Sequence, residues 1–207
     1  MIRVKICGIT THEDAWAAVD AGADALGFIF VNGTPRYIEP EAAATIIARM
    51  PPFVATVGVF VDRTPEEIEL IVRACGLSLA QLHGHESPDA CSHLGVPFIK
   101  AIRVQDEPDL EALNMFPQAR AFVLDAYVAG QPGGTGRMFP WEIAAKAARQ
   151  TRIILSGGLT PDNVALAVTQ VRPYALDVSS GVEASPGRKD HHKVREFIEH
   201  VRKADTR

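Results

Sequence analysis

Hydrophobic positions along the chain follow a repeating alternation. Short runs rich in β-branched residues end in polar or glycine-rich turns, then pass into segments whose apolar residues recur at helical spacing. The runs predict strands at Val4–Cys7, Ala25–Phe30, Val54–Phe60, Leu79–Leu82, Phe98–Arg103, Ala121–Leu124, Arg152–Leu155 and Ala175–Val178. The periodic segments predict helices at Thr11–Ala21, Pro40–Arg49, Pro65–Cys75, Pro88–Leu94, Pro108–Met115, Pro140–Arg149, Pro161–Val171 and Asp190–Lys203. Three of these carry their own start signal: Thr64-Pro65-Glu66-Glu67, Ser87-Pro88-Asp89 and Thr160-Pro161-Asp162-Asn163 each set a hydroxyl cap before a first-turn proline and an acid. Strands separated by helices run parallel with right-handed crossovers. Eight such units favour closure into a single-domain (β/α)8 TIM barrel over residues 1–207, a length near the lower bound of about 200 for that fold. The alternative is an open doubly wound sheet with a dinucleotide fingerprint after its first strand. Here that strand ends in Cys7-Gly8-Ile9-Thr10. Gly130, Gly133, Gly134 and Gly136 neither follow a first strand nor have the required spacing, so NAD binding is unsupported.

Composition narrows the partners. With 47% hydrophobic and 22% charged residues the chain is that of a folded globular protein, and a net charge of −4 without a basic stripe gives no support for nucleic acid or an anionic membrane as partner. No apolar stretch is long enough to span a bilayer and no signal core follows Met1, so a cytoplasmic location is expected. Cys7, Cys75 and Cys91 are widely spaced, which argues against a disulfide framework or a zinc ribbon. Cys75 and Cys91 fall on predicted helices and read as packing residues.

In a β/α barrel the reactive groups sit where strands end and loops begin. Cys7 is at such an end, with Gly8 behind it leaving room for a ligand, and reads equally as a buried structural thiol. Asp125 closes an apolar strand and is either a chemical group or the cap of a turn. Ser156-Gly157-Gly158-Leu159 and Ser179-Ser180-Gly181-Val182 follow the seventh and eighth strands, where small residues let backbone N–H groups converge on a phosphate. Arg36, in the loop after strand two, either offers a guanidinium for a carboxylate or is a solvated loop arginine. The long loop Gly130–Arg137 reads as a lid or a connector. His83 and His85 lack a third ligand, so no metal is expected, and His191 and His192 read as a solvated helix start.

Taken in order, Lys5-Ile6-Cys7-Gly8, Thr34-Pro35-Arg36-Tyr37, Val57-Gly58-Val59-Phe60, Gln81-Leu82-His83-Gly84, Leu124-Asp125, Gly133-Gly134-Thr135-Gly136, Leu155-Ser156-Gly157-Gly158-Leu159 with Pro161-Asp162-Asn163, and Asp177-Val178-Ser179-Ser180-Gly181-Val182-Glu183 with Pro186-Gly187 and Lys189-Asp190 resemble the phosphoribosylanthranilate isomerases of tryptophan biosynthesis. Thr34 stands where that family usually has Ser, leaving Arg36 in register. The resemblance implies an Amadori rearrangement of a phosphoribosyl aryl amine with Asp125 as general acid and Cys7 as general base, and neither metal nor redox cofactor. It also implies substrate contacts from Arg36 to the anthranilate carboxylate and from Gly157, Gly158, Ser180 and Gly181 to the phosphate. In a closed ring the phosphate loops then lie between acid and base. An unperturbed Cys near ~8.5 is mostly thiol and an Asp near ~3.9 mostly ionised at neutral pH, so both need help from their surroundings. Lys5 shares a strand face with Cys7, and Asp177 lies on the neighbouring eighth strand, which predicts a buried Lys5–Asp177 ion pair. Other phosphosugar barrels, a thiamine-phosphate synthase or a pentose-phosphate epimerase, and a non-catalytic phosphometabolite binder are the competing functions. A monomer is the default assembly, a homodimer the alternative.

Overall fold

The computed structural model describes residues 1–103, 111–125 and 141–205, with backbone alone at positions 103, 111 and 112. The Gly130–Arg137 loop lies outside the described residues, as do residues 104–110 and Pro140 at the starts of two predicted helices.

Eight parallel strands pair in sequence order and close: β1 (Arg3–Cys7), β2 (Ala25–Ile29), β3 (Ala55–Phe60), β4 (Leu79–Leu82), β5 (Phe98–Arg103), β6 (Phe122–Asp125), β7 (Ile153–Ser156) and β8 (Ala175–Val178), with β8 returning to β1 in the register Lys5↔Asp177. Helices α1 (His12–Asp20), α2 (Pro40–Ile47), α3 (Pro65–Cys75), α4 (Pro88–Ser92), α5 (Glu111–Asn114), α6 (Trp141–Ala148), α7 (Pro161–Val171) and α8 (His191–Ala204) follow the strands in turn. The architecture is the one the alternation predicts, and among the described residues the ends of its elements agree with the prediction or differ from it by one or two residues. Asp125 and Ser156, expected just past their strands, are the last paired residues of β6 and β7.

The caps act as their residues dictate. Thr64 accepts from Glu67 N while Glu67 accepts from Thr64 N, Ser87 caps Ala90 N, and Asp190 accepts from His192 N and Lys193 N. His191 departs from the solvated helix start expected of it. Its Nε2 lies 2.8 Å from Oδ1 of the buried Asp14, whereas His192 is largely exposed.

Strand alternation divides the apolar residues into two cores. Val4, Ile6, Leu26, Phe28, Leu124, Leu155 and Leu176 face the helices, and Val57, Ile99, Ala101, Ala121, Val123, Ile154 and Ala175 fill the lumen. Lys5, Gln81 and Asp177 share the lumen parity and are likewise buried, so the apolar fill gives way to polar side chains toward the C-terminal ends of the strands.

Two elements have no counterpart in the sequence pattern. A single 3-10 turn at Ser180–Val182 is followed by an antiparallel hairpin of β9 (Glu183–Ser185) and β10 (Arg188–Lys189). The hairpin turns through Gly187 at φ 81°, where a Cβ would stand 2.3 Å from the Pro35 carbonyl oxygen.

Candidate active site

Every sequence-predicted site residue lies at the C-terminal mouth of the barrel. Cys7 ends β1 and is 6% exposed. It has room because its partner across the β1–β2 ladder is Gly27, where a Cβ would stand 2.6 Å from Cys7 Sγ and 3.0 Å from Lys5 Cε. Below Cys7, Lys5 Nζ donates to Asp177 Oδ2 at 2.8 Å, the buried ion pair expected from strand parity. Burial presses the Lys5 ammonium toward the neutral form, but the charge and hydrogen bond of Asp177, with Cys7 beside it, outweigh that and raise its pKa. Lys5 therefore stays charged.

The Cys7 thiol departs from the need inferred for a base. Burial pushes its pKa up, and the attraction of Lys5 and Lys189 does not overcome that and the repulsion from Asp177. The free protein holds a thiol.

Asp125 ends β6, with its side chain 20% exposed. Its Oδ2 lies 3.1 Å from His83 Nε2, His83 Nδ1 lies 2.9 Å from Gln81 Nε2, and Gln81 Oε1 accepts from Lys5 Nζ at 2.8 Å. A continuous polar chain thus crosses the lumen from Asp177 to Asp125. Gln81 and His83 carried no role in the sequence reading; the signal that finds Gln81 is a polar residue at lumen parity in a strand whose neighbours are apolar. The loop bearing His83 is itself clamped. Lys100 on β5 donates to Glu86 at 2.8 Å and to the Leu82 and Gly84 carbonyls, while Glu86 accepts from the Gly84 and Asp62 N–H groups. The two histidines diverge, His85 facing Asp62, and no three His, Cys, Asp or Glu side chains among the described residues converge as metal ligands.

The glycine loops after β7 and β8 form one surface. Gly157 and Gly158 have φ of 86° and 66°, and a Cβ at Gly158 would meet nothing within 4 Å, so this backbone is open to a ligand. Gly181 packs so tightly that a Cβ would stand 1.8 Å from the Leu159 carbonyl oxygen, which joins the two loops. Asn163 at the start of α7 holds the first loop, donating to the Gly158 carbonyl at 2.9 Å and accepting from Thr160 N at 2.8 Å. Ser180 stands at the start of the 3-10 turn, exposed. Such a surface suits a phosphate.

Arg36 is not free in its loop. It grips Glu183 through two bonds, Nε to Oε1 at 2.8 Å and Nη2 to Oε2 at 2.7 Å, and Lys189 Nζ adds a third at 2.9 Å. Burial alone would raise the Glu183 pKa, but Arg36 and Lys189 hold it below the ordinary carboxylate range. One fork of the guanidinium is thereby used to fix the side chain, leaving Nη1 for a second anion. Among the described residues Ser179 Oγ and Asp177 Oδ1 are buried without a hydrogen-bond partner.

The chain as a whole has known relatives. Residues 4–200 match the family model described as N-(5'phosphoribosyl)anthranilate (PRA) isomerase. The N-(5'-phosphoribosyl)anthranilate isomerase of Trichlorobacter lovleyi is 55% identical over 205 residues, covering 99% of this chain and 100% of that one. The crystal structure of phosphoribosyl anthranilate isomerase from Thermotoga maritima superposes with a TM-score of 0.92 at 43% identity, covering 98% and 100% of the two chains; another structure from that organism is of monomers generated from the dimeric protein. A structure of the isomerase in complex with reduced 1-(o-carboxyphenylamino)-1-deoxyribulose 5-phosphate superposes at 0.88 with 41% identity and the same coverage. With a thiol on β1 and a carboxyl on β6 at one barrel mouth, glycine loops between them, and this likeness over nearly the whole chain, the protein belongs to the N-(5'-phosphoribosyl)anthranilate isomerase family.

Proposed function

We propose that the protein catalyses the Amadori rearrangement of N-(5'-phosphoribosyl)anthranilate to 1-(2-carboxyphenylamino)-1-deoxyribulose 5-phosphate, a step of tryptophan biosynthesis, in one domain spanning residues 1–207. The observation that carries this reading is the placement of Asp125 on β6 and Cys7 on β1 at the same end of a closed barrel, with the glycine loops of β7 and β8 between them. Phosphate on Gly157, Gly158, Ser180 and Gly181 would hold the ribose between acid and base.

The steps balance on these two groups. Asp125 gives its proton to the ribose ring oxygen as the C1'–O bond breaks and the anthranilate nitrogen lone pair forms a C1'=N iminium. Cys7 as thiolate takes the C2' proton; the electron pair left behind forms C1'=C2' and neutralises the iminium. The resulting enolamine gains a proton at C1' and loses one at the C2' oxygen, giving the ketose. One proton passed back from the thiol to the Asp125 carboxylate restores the enzyme. Burial raises the Cys7 pKa, so the reactive form, with the Cys7 proton moved to Asp125, is the minor one in the free protein, and the iminium cation forming beside Cys7 favours thiolate as the C2' proton is taken. General acid and base catalysis together with positioning supply the acceleration, and the chemistry calls for neither metal nor redox cofactor.

The anthranilate carboxylate would meet the Nη1 side of Arg36, whose direction Glu183 fixes. Arg36→Ala is expected to raise KM at least tenfold and to affect kcat less, as loss of a charge-assisted contact worth about 1.5–3 kcal/mol predicts. Every site residue named comes from one chain, so the working unit is proposed to be a monomer, in the cytoplasm. Sedimentation at the 22.4 kDa of one chain supports that assembly, and at twice this mass excludes it.

The test is the loss of anthranilate fluorescence when the purified protein meets freshly generated N-(5'-phosphoribosyl)anthranilate in the presence of chelator. Turnover is the expected result. Its absence in a folded sample overturns the isomerase reading.

A further inference from the structure

The polar chain that leads across the lumen to Asp125 takes no part in the steps above short of Asp125 itself, yet its donors and acceptors can be assigned one at a time. An ammonium only donates, so Lys5, held by Asp177, fixes the carbonyl oxygen of Gln81 toward itself at 2.8 Å. The Gln81 NH2 group is then turned to His83 Nδ1 at 2.9 Å. An amide NH2 also only donates, so Nδ1 is the acceptor and the ring proton lies on Nε2, facing Asp125 Oδ2 at 3.1 Å. Reversing Gln81 would set its NH2 against the Lys5 ammonium. The direction of the chain is therefore dictated by its buried ion pair.

We infer that Gln81 and His83 are positioning residues for the general acid: they hold Asp125 Oδ2 as a hydrogen-bond acceptor, which places the catalytic proton on Oδ1. In this assignment Oδ1 is the oxygen that faces the substrate, Oδ2 being engaged by His83. The catalytic half of this inference rests on the isomerase reading; the tautomer does not. The chain is rigid enough for the role. Gln81 is 1% exposed with both ends of its amide satisfied, and the turn carrying His83 is tied down by the buried Lys100–Glu86 pair, at 2.8 Å. Without the His83 donor, an Asp125 proton is free to sit on either oxygen and the carboxyl is free to rotate.

Two measurements test this. Nitrogen-15 NMR of the imidazoles in the unliganded protein, with His83 assigned by its loss in His83→Leu, is expected to show Nε2 protonated and Nδ1 bare in the wild type, and Nδ1 protonated in Gln81→Glu, whose carboxylate can only accept. Kinetics are expected to show kcat of His83→Leu lowered about 10- to 100-fold with KM unchanged, as for a misplaced catalytic group. His83→Gln, which keeps an N–H donor toward Asp125 and an acceptor toward Gln81, should recover most of kcat. A wild-type Nδ1 that carries the proton overturns the assignment. Undiminished kcat in His83→Leu, or equal loss in His83→Leu and His83→Gln, overturns the positioning role. A wild type with the expected tautomer but no turnover sinks the isomerase reading and the catalytic half with it, while establishing the tautomer.

Discussion

Gly27 shows how narrowly the thiol is accommodated. It sits opposite Cys7 in mid-strand at a site where a Cβ would stand 2.6 Å from Sγ and 3.1 Å from the Cys7 Cα, a backbone atom that cannot swing away. Gly27→Ala is expected to displace Cys7 and Lys5 together, lowering kcat by about 100-fold for a shift on the order of 1 Å, with thermal unfolding confirming that the variant folds. Near-normal kcat in a folded Gly27→Ala would show that Sγ placement is not critical. The protonation of Cys7 has a kinetic signature too. A carboxylic acid ionises at lower pH than a thiol, so between the two values each rise in pH gains thiolate and loses protonated acid equally, and kcat/KM is flat. Above the thiol's value the thiolate is complete while the acid form keeps falling, so activity declines there. Because burial raises the Cys7 pKa, this alkaline decline is expected above the ordinary ~8.5, and a decline centred near neutrality would contradict it.

Among the elements, strands and helices were legible in the sequence because each strand had its own apolar run, each helix its own apolar period, and three helices a start signal as well. The hairpin β9–β10 was not legible, since segments of three and two residues are too short to display alternation; only Pro186-Gly187 marks the turn. Arg36 was singled out from its loop alone, but its partner Glu183, and Lys189 which also holds Glu183, lie on that unseen hairpin. Likewise the tie from Glu86 to Lys100 joins a loop to the following strand and leaves no local pattern. Glu86→Ala is expected to cost about 3–5 kcal/mol, because the Lys100 charge stays buried with carbonyl oxygens alone as partners. Urea unfolding reads this directly, and a loss under 1 kcal/mol, the ceiling for exposed pairs, would show that water reaches Lys100.

For the whole molecule, closure of the barrel turns a list of strand ends into a site. Lys5 and Asp177 were paired from sequence because closure makes β1 and β8 neighbours and parity puts both residues in the lumen. The longer chain from Asp177 and Lys5 through Gln81 and His83 to Asp125 spans four strands, β8, β1, β4 and β6, of which only β8 and β1 adjoin, so it depends on side-chain reach across the lumen, which periodicity does not encode. The same reach ties Asp125, the proposed acid, to the buried Lys5–Asp177 pair beside Cys7, the proposed base. The most direct test of the central claim is kcat and KM with N-(5'-phosphoribosyl)anthranilate for wild type, Cys7→Ser and Asp125→Asn, alongside the affinity of each for the reduced product analogue. Each substitution is expected to lower kcat by at least ~100-fold, as loss of a general acid or base does, with affinity for the analogue little changed. Wild-type turnover in either variant would contradict the assignment of that residue.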